Sequence, residues 1–206
     1  KEFSKYAMEH WHVAKDVFFS PLFSNWLSQN NDLESQRIYQ QLSMTPHKDW
    51  ALEYFLRLSG YKQKPNLSVQ DQIRKVEIYP TGEKFIEKGI IIHKSGWGLM
   101  DIQLETNVKW IRFSKSHYTH EDFRKDKLII NYEIIPDKII HKKDFGYIYI
   151  IYEDTKIEYE VRVVKKDVFN IILPRDTFNK EDKGLLIIEN KTGKVARTKI
   201  IPIKPG

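Results

Sequence analysis

His117-Tyr118-Thr119-His120-Glu121 sets two imidazoles three residues apart beside a carboxylate. On a helix that spacing turns two ligands toward one metal ion. Here the segment lies in a polar stretch between strand-like runs, and no third ligand accompanies it, so a solvated loop is the better account. His10 and His12 are two apart and point different ways on a helix. Asp144-Phe145-Gly146 spells the kinase metal-binding tripeptide, but the glycine-rich loop, strand lysine and His-Arg-Asp loop of that set are missing. Gly96-Trp97-Gly98 lacks the third glycine and the following helix of a dinucleotide fingerprint, and reads as a turn. There is no Walker motif and no Gly-x-Ser-x-Gly. The absence of Cys removes disulfides, thiolate nucleophiles and cysteine zinc sites. No catalytic residue, cofactor or metal is expected. A hydrolase would need a site scattered beyond recognition in the sequence.

Aromatic residues are the better candidates. Trp97 sits between two glycines, so it is expected to face solvent. Tyr147 and Tyr149, with Tyr152, could form an exposed strip for sugar or nucleic acid, although strand packing also accounts for them. Trp97, Tyr147 and Tyr149 form the candidate interaction surface. The clusters Arg124-Lys125-Lys127 and His141-Lys142-Lys143 are interleaved with or followed by aspartates and read as solvated loops. Net charge is +6, but it is spread along the chain: 8 basic against 7 acidic residues over 1–66, 18 against 16 over 67–166, and 8 against 5 over 167–206. No segment is strongly basic, so nucleic acid is not favoured.

The elements that must position these residues change period along the chain. Hydrophobic residues make up 41% of the sequence and charged residues 30%, which a packed globular fold requires and a disordered chain does not reach. Phe3, Ala7, His10, Trp11, Ala14 and Phe18 lie on one helical face. Ser20-Pro21 reads as a cap followed by proline at the first helical position, Asp32 as a cap, and Thr45-Pro46 as a second cap-and-proline pair. Gly60 sits where a helix stop belongs. Four short helices are expected over residues 2–59, as a small bundle or as a layer docked on the later part of the chain. Residues 61–70, which contain Pro65, read as a linker.

From Arg74 the period becomes two. Val76–Ile78, Phe85–His93, Met100–Glu105, Trp110–Phe113, Leu128–Ile134, Gly146–Tyr152 and Ile157–Val163 predict seven strands, with Asp154-Thr155 as a hairpin turn. Trp110 is expected to be buried, and Gly96 or Gly98 to have positive φ. Seven strands without an intervening helical period point to an immunoglobulin-like sandwich and away from a parallel βαβ sheet. Val168–Leu173, Gly184–Glu189 and Thr198–Ile203 predict three more strands, which either open a second, incomplete sandwich or extend the first one's sheets.

Ser95-Gly96-Trp97-Gly98-Leu99, Trp110-Ile111 and Gly146-Tyr147 carry a resemblance. Over about residues 74–165 the chain resembles the immunoglobulin-like repeat modules of bacterial multidomain proteins, in the style of the ASPM-SPD-2-Hydin and major-sperm-protein group. His93 departs from the asparagine common there. The resemblance implies a spacer or an interaction surface, often appended to chaperone-like or kinase-like proteins, and it implies no chemistry.

The expected fold class is therefore α+β by segregation. A helical segment (1–66) is followed by an immunoglobulin-like sandwich (67–165) and a partial second β module or sheet extension (166–206). The expected function is non-catalytic: an interaction or spacer fragment binding protein partners or sister domains, with a polysaccharide- or nucleic-acid-binding sandwich as the alternative. Lys, Ile and Asn usage points to an AT-rich bacterial genome. No apolar run reaches the roughly 18 residues of a membrane span, and no signal peptide is visible. A cytoplasmic fragment is expected, with a lost targeting segment left open because the chain starts at Lys1.

Overall fold

The computed structural model describes residues 2–80, 82–167, 169–172 and 187–190. Five helices come first: α1 Glu2–Glu9, α2 Trp11–Phe18, α3 Pro21–Gln29, α4 Leu33–Leu42 and α5 Lys48–Leu58. The single helix expected over Phe3–Phe18 is two, broken at His10 (φ −136°, ψ 57°). Packing explains the break. Phe3 and Phe18 both pack against Phe23 with tilted rings, at 4.8 and 5.2 Å. In a straight helix residues 3 and 18 would stand ~22 Å apart, too far to share one ring. Pro21 opens α3 as expected, and the Asp32 carboxylate caps α4 by accepting from Ser35 N–H at 3.0 Å. The last cap falls later than Thr45-Pro46: His47 precedes α5, whose first turn carries Asp49.

α5 ends as expected at Gly60, with φ +70°. Gly60 N–H donates to the Arg57 carbonyl and Tyr61 N–H to the Leu56 carbonyl, the paired bonds of a Schellman stop. Lys62 N–H also donates to Leu56. The turn therefore folds the connector back against α5.

Nine strands occupy residues 66–165, not seven: β1 Asn66–Val69, β2 Ile73–Ile78, β3 Ile86–Ser95, β4 Asp101–Thr106, β5 Ile111–Phe113, β6 His117–Thr119, β7 Lys127–Ile134, β8 Lys143–Tyr152 and β9 Thr155–Lys165. The two extra strands are short edges. β1 lies in the expected linker and pairs with β3; β6 lies in the expected polar loop and pairs with β4. Four and three residues hold too few alternations to register as a period. One sheet has the order β1-β3-β7-β5 and the other β2-β9-β8-β4-β6. β2 runs parallel to β9, and every other pair in these sheets is antiparallel. The hairpin turn is Glu153-Asp154, one residue before the expected pair, with Glu153 at φ +49° and Tyr152 opposite Thr155.

The described residues form a mixed α+β fold with two apolar cores. The helical core packs Phe18, Phe23 and Phe55 with Leu27, Leu52 and Leu56. The other lies between the two sheets and is rich in isoleucine: Ile90, Ile92, Ile102, Ile130, Ile134, Ile148 and Ile150 are all buried. Trp110 is buried there as expected. Its indole lies against Gly146, where an added Cβ would come within 2.5 Å of Val108 and 3.1 Å of Trp110. A further pair, β10 Phe169–Ile172 and β11 Ile187–Asn190, forms its own antiparallel ribbon. The strand expected at Thr198–Ile203 lies outside the described residues. Among the described residues no helix is long and apolar enough to cross a membrane.

Candidate functional site

The helices meet the sheets over the β3–β4 turn, and the meeting is built on a buried ion pair. Glu53 sits on the inner side of α5 and is fully buried; the Lys62 side chain, brought back by the Gly60 stop, is 1% exposed. Lys62 Nζ lies 2.5 Å from Glu53 Oε1. Glu53 Oε2 accepts Leu99 N–H at 3.2 Å, so one carboxylate joins α5, the connector and the turn. The Lys62 ammonium also stands 4.2 Å from the Trp97 ring centroid. Burial pulls the Lys62 pKa below the usual lysine range, and the Glu53 hydrogen bond opposes that shift. Gly96 and Gly98 both have positive φ as expected, +84° and +122°. At Gly98 the reason is space as well: a Cβ would lie 2.6 Å from Glu53 Oε2 and nearer still to Lys62 Nζ.

Beside this latch runs a groove between the helices and the sheets. It consists of two clefts of about 880 and 820 Å³ that share His47, Trp50 and Asp101. Trp11, Trp50 and Tyr54 line the helical wall; Trp97, Met100, Gln103 and Ile151 line the opposite one. Trp11 meets Trp97 edge-on at 6.2 Å, and Trp50 packs on Tyr54 at 5.5 Å. The polar rim is partly spoken for. Lys15 Nζ donates to Asp49 at 2.8 Å and holds that carboxyl below the ordinary carboxylate range. At the far end Arg57 grips Glu153 through two bonds of 2.7 and 2.9 Å, with Lys64 3.2 Å away. The arrangement offers half-buried indoles and charged rims.

Trp97 is placed differently from its expected exposure. It is half-buried, held between the edge of Trp11 and the Lys62 ammonium. The two glycines bend the turn toward the helices, so the ring between them is partly covered while still lining the groove. Tyr147 and Tyr149 do stand on the outer face of β8, half-buried and stacked at 6.2 Å, away from Trp97. Tyr152 points the other way, into the core. His117 contacts Asp101, while His120 opens a short 3-10 turn that lines the groove. Among the described residues no three His, Cys, Asp or Glu side chains gather as a metal site.

Residues 1–181 match a family whose description reads "Family of unknown function (DUF5717) N-terminal". The chain belongs to this DUF5717 N-terminal family. No curated protein matches it. Solved structures give distant likenesses to this DUF5717 chain. A protein of unknown function from Porphyromonas gingivalis W83 has 13% identity and a TM-score of 0.38, over 48% of this chain and 46% of that one. This chain therefore spans less than half the length of that protein. A FixG-related protein from Vibrio parahaemolyticus has 15% identity and a TM-score of 0.35, over 51% and 99%. A chimeric titin Z1Z2 has 9% and 0.30, over 51% and 99%. None of these superpositions is close enough to carry an argument.

Sequence reasoning passed over Glu53 and Lys62 in this DUF5717 module. A signal was present. Glu53 is the one charge in Trp50-Ala51-Leu52-Glu53-Tyr54-Phe55-Leu56, a run apolar on every side of a helix. A carboxylate there must be buried, and a buried carboxylate needs a cation.

Proposed function

We propose that this module is a non-catalytic protein-interaction element of a larger bacterial protein, and that its groove receives a segment of the polypeptide C-terminal to it. The observation that carries the reading is the groove itself: three half-buried tryptophans line it, Trp11 and Trp50 from the helices and Trp97 from the β3–β4 turn, beside a buried latch. Half-buried indoles in a concave site are the side chains that most often anchor protein partners. The family description names an N-terminal part, so family proteins have further polypeptide from which such a segment would come.

For the β part we propose an immunoglobulin-like sandwich. The strand orders support it. β1-β3-β7-β5 corresponds to the A-B-E-D sheet of that fold, and β9-β8-β4 to G-F-C, with β2 as a parallel edge beside β9; β6 adds an edge beside β4 but follows β5 in the chain, so it is not the C′ strand of that fold. Two departures stand beside this: there is no cysteine, and the buried Trp110 precedes β5 rather than lying on β4. The contact of Trp110 with Gly146 supports the narrower resemblance to the ASPM-SPD-2-Hydin style, because it makes two of that pattern's separate signals one packing device. A cytoplasmic setting belongs to the same proposal.

The test is calorimetric titration of the 206-residue module with the remainder of a full-length family protein, expressed separately. Micromolar binding that Trp50→Ala weakens at least tenfold is expected, with near-ultraviolet dichroism confirming that the variant is folded. Absence of binding to the remainder overturns the reading. Retention on DNA-cellulose or on a glycan resin, lost in the same variant, would replace it with the polysaccharide or nucleic-acid alternative.

A further inference from the structure

A second surface carries its own signal. Along β8 the buried side is Gly146, Ile148, Ile150 and Tyr152, which leaves Phe145, Tyr147, Tyr149 and Ile151 on the outer face. Phe145 is 56% exposed. The rings are evenly spaced, Phe145 to Tyr147 at 6.1 Å and Tyr147 to Tyr149 at 6.2 Å. Ile151 continues the row into the groove, where it lines the wall below Gln103. The stripe is thus continuous with the groove and lies mid-sheet, away from any edge.

Charge tells what would cover it. Tyr149 is paired in register with Glu105 on β4 and with Glu158 on β9, so a carboxylate flanks the ring on each side. Both are exposed, and among the described residues neither forms an ion pair. The chain's own Lys156 already lays its ammonium 3.6 Å from the Tyr149 centroid. That ring is thus already supplied with a cation, while Glu105 and Glu158 keep their charges open to an ammonium or guanidinium group from outside. Farther along, Glu160 is bound to Arg162 at 2.7 and 2.8 Å and adds no net charge.

We propose that this face binds a basic amphipathic helix of a protein partner, with apolar residues along the ring stripe and lysine or arginine paired with Glu105 and Glu158 on either side of Tyr149, whose own ring already carries Lys156. Residues four apart on a helix rise about 6 Å, which matches the ring spacing and sets the expected anchor pattern at i, i+4 and i+8. The proposal rests on reading the chain as an interaction module, but its anchors, Phe145, Tyr147 and Tyr149, lie outside the tryptophan groove that the stripe runs into.

The probe is a designed 18-residue helical peptide with leucine at i, i+4 and i+8 and lysine on both flanks, titrated into the 206-residue chain by fluorescence anisotropy. Saturable binding is expected. It should weaken at least tenfold in Glu105→Gln/Glu158→Gln, a charge-only variant that removes no packing, and it should weaken again when salt is raised from 50 to 500 mM. Equal binding by a peptide with glutamate for lysine, indifference to the double variant, or no binding overturns the proposal. So does dimerisation of the chain lost in Tyr147→Ser, which would assign the stripe to a second copy, or retention on insoluble mannan lost in the same variant, which would assign it to glycan. If the peptide fails while the remainder of the family protein still binds and depends on Trp50, only this face is refuted. If both fail, the interaction reading falls with it.

Discussion

Two ion-pair clusters tie the helices to the sheets, and they differ in nearly everything but their charges. Glu53 and Lys62 are sealed inside, with side chains 0% and 1% exposed. Arg57 and Lys64 reach Glu153 and Asp154 at the surface, where the Asp154 side chain is 86% exposed. Both involve α5 and the connector after it. The inner pair is surrounded by an indole, a glycine turn and a backbone N–H; the outer set is partly covered, with Arg57 and Glu153 side chains 16% and 20% exposed and Asp154 open to water. In the interior, each charge is tolerable only because the other is present, since desolvation takes several kcal/mol from each ion. At the surface, solvent screens the attraction and stands ready to replace it. The inner pair therefore dictates geometry, and the outer set trims it.

The largest expected effect comes from removing half of the inner pair. Glu53→Ala strands the Lys62 ammonium in an apolar site and takes the acceptor from Leu99 N–H. A loss of about 3–5 kcal/mol in urea unfolding is expected, with Trp97 fluorescence altered even in the folded fraction. A loss under about 1 kcal/mol, the range of an exposed pair, would show that the pair is not buried in solution. Next is Gly98→Ala. The new methyl would meet Glu53 and Lys62 at a φ of +122°, and neither charged group can move without breaking the pair. Left-handed strain of about 1–2 kcal/mol and overpacking of about 1–3 kcal/mol set the expected cost. Gly96→Ala, at an open turn position with only Pro65 Cα 3.5 Å away, should show the strain alone.

This contrast also marks what was legible in the sequence. Positional period is a local signal, so α3, α4 and the long strands β3, β7, β8 and β9 stand out in it, as does the burial of Trp110. The stop at Gly60 and the positive φ of Gly96 and Gly98 follow from residue type. The break at His10 did not stand out, because it exists to bring Phe3 and Phe18 onto one ring, Phe23, and that requirement is tertiary. The same holds for the site. Tyr147 and Tyr149 lie on an outer face, as alternation along a strand implies, but Trp97 was misplaced because exposure of a turn residue depends on what docks over the turn. Glu53 and Lys62 meet only once Gly60 has reversed the chain, and no spacing rule contains that reversal.

A smaller effect should come from replacing both inner charges together. Glu53→Met/Lys62→Met removes both desolvation penalties and fills the space with apolar atoms, while Leu99 N–H loses its acceptor. Changes near zero, within about 2 kcal/mol of wild type in either direction, are expected, in sharp contrast to Glu53→Ala. If the double variant is as damaged as the single one, the pair's worth lies in the Leu99 bond rather than in charge balance.

The smallest effect belongs to the surface set. Arg57→Ala should cost about 0.2–1 kcal/mol at neutral pH, since Glu153 is partly solvated and Lys64 remains beside it. Its signature is in the pH dependence. The Arg57 hydrogen bonds hold the Glu153 carboxyl below its ordinary value of 4.5. A carboxylate with a lowered folded pKa binds fewer protons in the folded chain than in the unfolded one, so stability rises with pH across the window between the two values. The Arg57 contribution is fully present above pH 4.5 and is lost as the pH falls through the folded pKa of Glu153. Wild type and Arg57→Ala should therefore differ in thermal midpoint at pH 7 and converge at acid pH. Raising salt at pH 7 should narrow the same gap, because these charges are at the surface, and it should leave the deficit of Glu53→Ala nearly unchanged. A salt-insensitive gap for Arg57→Ala would place Glu153 with the interior pair and erase the distinction between the two clusters.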